Sequence, residues 1–111
     1  MNPITVINIT DNTDLIKAAS DNAIAKALEM CGMQAEGYAA LMCPVDTGRL
    51  RNSITHAPES KYTEIVGTNV EYAAYVELGT SRQRSQPYLK PALLNHVNEY
   101  KEIIKSVLQN S

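Results

Sequence analysis

Apolar residues recur at helical spacing in two long stretches of the chain. In the first stretch they start at Leu15 and continue as Ile24, Leu28, Cys31, Ala35, Tyr38 and Met42. In the second they are Leu89, Leu93, Val97, Tyr100, Ile104 and Val107. Intervals of three and four residues put these side chains on one face of a helix. The pattern therefore predicts two long amphipathic helices. Thr10, Asp11 or Thr13 would cap the first, and Gly32 would allow a bend in it.

Shorter stretches between these helices have the composition of strands. Ile4–Ile9 is rich in β-branched residues and predicts an edge strand. Residues 52–57 and 62–66 predict a hairpin, with residues 58–60 as its turn. One short helix with an apolar side facing inward fits Tyr72, Tyr75, Val76 and Gly79, and a strand is the alternative there. The expected fold is one α+β domain over residues 1–111, with a small antiparallel sheet packed against two long amphipathic helices.

A sharp turn is predicted after the first long helix. Pro44 disfavours helical geometry at Cys43, so the helix should end there. Asp46 and Thr47 are suitable N-cap residues for a short helical turn, and Gly48 tolerates unusual backbone geometry. The predicted structural turn consists of Pro44, Asp46, Thr47, Gly48 and Arg49.

Charge is distributed unevenly along a chain whose net charge is −2. Residues 1–42 hold two basic and five acidic side chains, whereas residues 79–90 hold Arg82, Arg84 and Lys90 and no acid. Residues 79–87 lack an apolar side chain before Pro87, which predicts an exposed and mobile loop. A negative net charge argues against a dedicated nucleic-acid binder.

The remaining composition gives four further expectations. With no Phe or Trp and six Tyr, several tyrosines should lie at the boundary of the core. Two cysteines twelve positions apart on one helix would lie about 18 Å apart, so both are expected to be free thiols. The chain shows no signal peptide, and no apolar stretch is long enough to span a membrane. We therefore expect a soluble protein that is made in the cytoplasm.

Candidate catalytic and metal-binding groups are weak. His56 and His96 have no cysteine or carboxylate at ligand spacing, so no metal site is predicted. Ser53, His56 and Asp46 could form a triad only by chance, because no nucleophile-elbow motif surrounds the serine. A general acid and base could in principle come from Glu64, Glu71 and Glu77. A solvated face that carries these glutamates is the simpler interpretation. No catalytic or cofactor-binding residue is predicted.

Two basic stretches have alternative interpretations. Residues 79–85 could hold a phosphate, could be a solvated loop, or could become ordered against an acidic partner surface. Arg49 and Arg51 are placed on different faces and should not form one anion clamp. A salt bridge from Arg49 to an acid on a helix is the simplest role for one of the two.

Five segments of the chain occur in an order typical of one family. They are residues 44–54 (PVDTGRLRNSI), 66–69 (VGTN), 72–75 (YAAY), 77–80 (ELGT) and 87–93 (PYLKPAL). In this series the chain resembles the Hong Kong 97-type tail-component or tail-completion proteins of long-tailed bacteriophages, over about residues 4–108.

The resemblance implies a structural virion protein at the head–tail junction or tail top, without enzyme activity or cofactor, made in the host bacterial cytoplasm. It implies a ring, commonly a hexamer that can depend on a partner ring as template, joined to other connector, stopper, tail-tube or terminator proteins. The residues that we expect at interfaces are Ile4, Val6, Thr80, Arg82, Arg84 and Lys90. A connector that contacts DNA through the basic loop is the alternative, and a small enzyme is the least supported class.

Overall fold

The computed structural model describes residues 4–8, 13–44 and 48–110. Its elements in chain order are β1 (Ile4–Asn8), α1 (Thr13–Ala18), α2 (Asp21–Met42), α3 (Arg49–Ser53), β2 (Thr55–Ser60), β3 (Thr63–Gly67), α4 (Ala73–Leu78), α5 (Leu89–Leu94) and α6 (Val97–Gln109).

The sheet has three antiparallel strands in the order β1-β3-β2. β1 lies at one edge and pairs with β3, so that Val6 stands opposite Ile65. The predicted edge strand is therefore confirmed through Asn8, and its last predicted residue, Ile9, lies outside the described residues. Together with two long helices this sheet confirms the α+β class.

α2 is the central element of the fold. It packs on β2 and β3 and also on α5 and α6. Most of its predicted apolar stripe is buried, including Ile24, Leu28 and Cys31, whereas Met42 at its end is 42% exposed. The core thus forms along one face of α2, as the spacing indicates.

The N-terminal helical stretch is divided into two helices, a division that the spacing of apolar residues did not predict. α2 continues through Gly32, and the chain instead breaks at Ala19 and Ser20. The Ser20 hydroxyl caps α2 by accepting a hydrogen bond from the Ala23 amide at 3.1 Å. Thr13 opens the separate helix α1. The other two predicted caps, Thr10 and Asp11, lie outside the described residues.

The hairpin is confirmed, but its boundaries differ from those predicted. Residues 52–53 belong to α3, and residues 58–60 continue β2, with an irregularity in register between Pro58 and Ser60. The turn lies at residues 61–62 instead. Proline is tolerated here because β2 is an edge strand, which pairs on one side only and can do without one amide.

The C-terminal helical stretch is divided at Asn95 and His96 into α5 and α6. The two helices pack on different neighbours, since α5 contacts α2 and β1, while α6 contacts α2 and α1. Each part of the predicted stripe still faces the core, as buried Leu89 in α5 and Tyr100 and Ile104 in α6 show.

Two tyrosines lie in the core rather than at its boundary. Tyr88 is fully buried and Tyr100 is 3% exposed, and they fill space that Phe or Trp would fill in other proteins. Tyr75, expected to face inward with Tyr72, is 59% exposed. Cys31 and Cys43 are both buried free thiols, as predicted. In the part of the chain that the structure describes, no helix combines the length and the hydrophobicity needed to span a membrane.

Candidate functional site

The segment between α4 and α5 carries the exposed positive charge that the sequence indicated. We call residues 79–90 the basic segment. Arg82, Arg84 and Lys90 are all exposed within it. The loop folds on itself, because the Thr80 amide donates to the Gln83 carbonyl at 2.9 Å. The basic segment thus presents Arg82 and Arg84 from a loop with internal hydrogen bonds and Lys90 from the first turn of α5.

A buried carboxylate fixes the end of this segment. Glu77 in α4 is 8% exposed, and its Oε1 accepts hydrogen bonds from the amides of Tyr88 at 3.0 Å and Leu89 at 2.9 Å. Its Oε2 accepts from the Lys90 amide at 3.1 Å. These amides open α5, whose N-cap residue Tyr88 supplies no side-chain cap of its own. Glu77 therefore caps α5 from another helix and joins the two ends of the basic segment.

Glu77 was considered only as an acid–base candidate, so its structural role was missed. The sequence signal for this role is the absence of a capping residue before α5. The residues before α5 include no Ser, Thr, Asp or Asn directly at the cap, so the first amides of the helix must find an acceptor elsewhere. Which acid supplies it depends on the tertiary fold.

Gly79 forms the other end of the loop, with φ +79° and ψ 175°. A Cβ at this position would stand 2.8 Å from the Ser85 amide nitrogen and 3.1 Å from the Gln83 carbonyl oxygen. Both neighbours are backbone atoms, which cannot turn away as a side chain can. The loop therefore requires glycine here for two reasons, its backbone angles and the close approach of the chain.

The structure describes both ends of the predicted turn, Pro44 and Gly48–Arg49. α2 ends at Met42, and Cys43 follows in an extended conformation before Pro44. Gly48 has φ +79° and precedes α3, and its carbonyl accepts from the Asn52 amide at 2.9 Å. The N-cap position of α3 is Gly48, so the prediction that Asp46 or Thr47 would occupy it is wrong, because the helix begins only at Arg49. Asp46 and Thr47 themselves lie outside the described ranges.

Both arginines of the turn have partners, and they are different ones. Arg49 makes a bidentate salt bridge with Glu71, with both N–O distances at 2.9 Å. This bridge lowers the pKa of the Glu71 carboxyl below its ordinary value. Glu71 lies in the turn before α4 rather than on a helix, so the predicted partner type is corrected. Arg51 Nε donates to the Ala40 carbonyl at 2.8 Å and ties α3 to α2.

The fold brings the turn and the basic segment together at one groove. From the sequence they were predicted as two separate features. The groove has a volume of about 440 Å³ and lies between Pro44, Gly48, Arg49, Leu50, Tyr72, Val76, Gln83, Arg84 and Gln86. A volume in this range accommodates a small group of atoms, such as one or two side chains of a partner. Two of its lining residues are charged, Arg84 of the basic segment and Arg49, which is paired with Glu71.

The remaining predicted interface residues lie elsewhere. Val6 is 40% exposed in β1, and the backbone of Ile4 pairs with Gly67 at the end of the same strand. Both therefore belong to the edge strand β1, and Val6 is not among the described residues that line the groove. Thr80 stays with the basic segment, where its hydroxyl accepts from the Arg82 amide at 3.2 Å.

The candidate catalytic groups have separate structural partners. His56 Nδ1 lies 2.7 Å from Oε2 of the buried Glu64. Ser53 donates from its hydroxyl to the Leu50 carbonyl at 2.7 Å and also hydrogen-bonds with Thr68. The third member of that trio, Asp46, lies outside the described ranges.

The three glutamates are likewise not brought together. Glu64 pairs with His56, Glu71 with Arg49, and Glu77 with backbone amides. His96 stacks on Tyr38 with ring centroids 3.5 Å apart. Within the described ranges, no group of three or more His, Cys, Asp or Glu side chains is arranged to hold a metal ion.

Comparison with known families gives one match. The model of the HK97-gp10-like family, described as "Bacteriophage HK97-gp10, putative tail-component", matches residues 9–79. No curated protein and no solved structure matches the chain. The matched span includes the turn, the hairpin and α4 and ends at Gly79, so most of the basic segment lies beyond it, whereas the resemblance from sequence motifs extended to about residue 108. Because the match covers more than half of the 111 residues, the chain belongs to the HK97-gp10-like family of bacteriophage tail components.

Proposed function

We propose that the protein is a ring subunit at the head–tail junction or tail top of a long-tailed bacteriophage or prophage, where it completes the tail or connects it to the head. The observation that carries this proposal is an exposed basic segment, anchored by hydrogen bonds to Glu77, in a member of a tail-component family. A hexamer, formed alone or on a partner ring, is the favoured assembly. Neighbouring connector, stopper, tube or terminator proteins would be its partners.

The anchoring supports a contact role for the segment. Arg82 and Arg84 project from a loop that is closed by Gly79 at one end and by Glu77 at the other. A loop held in this way loses less conformational entropy when it binds than a free chain would. Their charges would face acidic groups of a neighbouring subunit or ring.

Purified virions provide the direct test of position. We expect mass spectrometry to detect the protein in intact particles, and antibody labelling to place it at the neck. Particles from a phage that lacks the gene should show heads and tails that fail to join or tails that lack their upper end. Its absence from purified particles would contradict the proposal.

Complementation tests the role of the basic segment separately. The Arg82→Glu/Arg84→Glu variant should fail to restore joined particles to the deletion phage. The matched control is Lys101→Glu/Lys105→Glu, which makes the same charge change at two exposed positions of α6. Normal assembly with Arg82→Glu/Arg84→Glu would show that the basic segment makes no essential contact.

Contact with DNA is a second candidate, favoured by three cations without an acid in residues 79–90. If all three bound phosphates, the logarithm of affinity would fall with the logarithm of salt concentration with a slope of about −2.7. Binding of duplex DNA by the purified protein at several salt concentrations measures that slope. Tight, salt-dependent binding that is lost in the Arg82→Glu/Arg84→Glu variant would favour this function over a protein contact.

A structural role without catalysis is part of the proposed function. It is supported by the partners of Ser53 and His56, which hold these side chains in other contacts. A broad hydrolase screen with purified protein checks it. Turnover that is lost on Ser53→Ala or His56→Gln substitution would contradict it.

A further inference from the structure

The outer face of α2 carries an exposed apolar row. Met30, Met33 and Leu41 are 40%, 58% and 72% exposed, and with Gly37 they recur at intervals of three and four residues. A Cβ added at Gly37 would have no atom of the described residues within 4 Å, so this face is open at that position. The face of a helix that points away from the core is normally polar. An apolar row there indicates a surface that another protein covers.

Acidic side chains border this row. Glu29 and Glu36 are seven positions apart, which is two helical turns, and both lie on the same side of the methionines. Neither forms an ion pair with a residue that the structure describes. Lys26, one turn before Met30, is the cation of the same outer face. We call Glu29, Met30, Met33, Glu36 and Leu41 the α2 surface.

A second exposed surface has the same apolar character and the opposite charge. Tyr75 and Leu78 are 59% and 75% exposed and stand one turn apart on α4. Arg82 and Arg84 follow directly in the basic segment, and neither forms an ion pair within the described ranges. We call Tyr75, Leu78, Arg82 and Arg84 the α4 surface.

We propose that the α2 surface of one copy of this chain binds the α4 surface of the next copy. Met33 and Leu41 would pack against Tyr75 and Leu78, while Glu29 and Glu36 would face Arg82 and Arg84. The two surfaces are formed by different elements, so the contact is head-to-tail, which is the kind of contact that closes a cyclic ring. The contact rests on the ring function proposed above and specifies which residues form the ring.

Charge complementarity identifies the occupant as a second copy of the chain. Each surface combines exposed apolar side chains with charges that lack a partner among the described residues. On the outer face of α2 these charges are Glu29, Glu36 and Lys26, which leave a net negative charge, whereas both charges beside α4 are positive. Bringing the two together removes apolar area from water and pairs both sets of charges, whereas contact of either surface with itself would oppose like charges.

Charge reversal with rescue tests the contact. The mass of the purified full chain is measured by light scattering and native mass spectrometry over a concentration series. Glu29→Lys/Glu36→Lys and Arg82→Glu/Arg84→Glu should each weaken self-association by about tenfold or more. A chain carrying all four changes should associate again, and so should an equimolar mixture of the two double variants. A structural effect of the substitutions would not produce this rescue.

Matched controls separate the contact from a general effect of charge. Lys101→Glu/Lys105→Glu and Glu59→Lys/Glu102→Lys make the same changes in net charge at exposed positions on other surfaces and should leave association unchanged. Circular dichroism melting shows that each variant folds. Leu78→Gln, which removes apolar area without altering charge, should also weaken association.

If the wild-type chain stays monomeric, the same variants are scored for joined particles in the complementation assay, where the four-change chain must again outperform both double variants. Failure of rescue in both assays overturns the contact. Detection of the protein in purified virions is independent of these results. If the protein is present in virions but rescue fails, only the proposed contact is contradicted. If rescue succeeds but the protein is absent from virions, only the proposed function is contradicted.

Discussion

At the scale of single residues, Glu77 determines the geometry of the basic segment. Burying a carboxylate is costly unless hydrogen bonds compensate for the lost hydration, and three amides of residues 88–90 do so here. The carboxylate in turn satisfies amides that begin α5 and would otherwise lack an acceptor. The same contacts hold α4 and α5 at a fixed separation, across which the loop is closed.

The variant Glu77→Gln should lower the free energy of unfolding by about 1–3 kcal/mol, because an amide group replaces one acceptor oxygen beside backbone donors. Glu77→Ala should cost more, since all three amides then lose their acceptor. Urea unfolding followed by circular dichroism measures both, with exposed Glu59→Gln as the control. A Glu77→Gln protein that unfolds at the wild-type urea midpoint would show that the carboxylate is dispensable.

Gly48 supports a second prediction at this scale. Its φ of +79° is costly for L-residues with a side chain, whereas among the described residues a Cβ would meet the Asn52 side chain alone, at an ordinary 3.4 Å. Gly48→Ala should therefore destabilise by about 1–2 kcal/mol through the backbone alone. Gly48→Asn should cost less, because asparagine tolerates this conformation better. Thermal melting of the two variants decides it, and equal melting temperatures for wild type and Gly48→Ala would contradict the structural role of the turn.

At the scale of elements, two glycines of α2 have different reasons to be present. A Cβ at Gly32 would lie 2.6 Å from Glu64 Oε2 and 2.8 Å from His56 Nδ1, so the helix approaches the sheet at this point. Gly37 has no such neighbour and lies on the open face. Both weaken the helix locally, but only Gly32 is required for packing.

Substitution with alanine should consequently have opposite effects at the two positions. Gly32→Ala should destabilise by about 1–3 kcal/mol, because buried Glu64 and the partly buried His56 paired with it must move. Gly37→Ala should stabilise by about 0.5–1 kcal/mol through helix propensity. The two proteins serve as controls for each other in urea unfolding. Equal shifts in the same direction would show that the close approach at Gly32 does not limit packing.

At the scale of the whole molecule, ionisable groups buried in the core should make the free energy of unfolding fall as the pH becomes alkaline. Burial, with a smaller contribution from the Glu64 charge, raises the pKa of the Cys31 thiol from 9.0 to about 12. Burial likewise raises the pKa of the Tyr88 and Tyr100 phenols above their ordinary values. In the unfolded chain these groups lose their protons at lower pH than in the folded protein.

Stability should therefore be unaffected by these groups below about pH 9 and should fall as pH rises above it, because the unfolded state then binds fewer protons. Each group contributes at most about 1.4 kcal/mol per pH unit. Urea unfolding between pH 7 and 10.5 measures the slope. In Cys31→Ala the decline just above pH 9 should be shallower than in the wild type. A stability that stays constant to pH 10.5 would contradict the burial of these groups.

Local signals in the sequence determined a large part of this structure. The spacing of apolar residues predicted α2 and the stripe of α5 and α6, and the β-branched Ile4–Asn8 predicted an edge strand. Pro44 and Gly48 acted through their own backbone restrictions, so the end of α2 and the sharp turn could be read directly. The five ordered motifs likewise indicated the family that the match over residues 9–79 confirms.

Tertiary structure decided the features that depend on residues distant in the chain. Glu77 caps a helix that begins more than ten residues later, and Gly32 yields space to side chains of the hairpin. β2 runs through Pro58 because the strand lies at an edge, which strand propensity alone does not reveal. The turn and the basic segment, which are distant in the sequence, also come together at one groove only in the folded chain. Periodicity and turn chemistry depend on neighbouring residues and are visible in the sequence, whereas the partner of a buried charge or a close backbone approach is fixed only when the whole chain has packed.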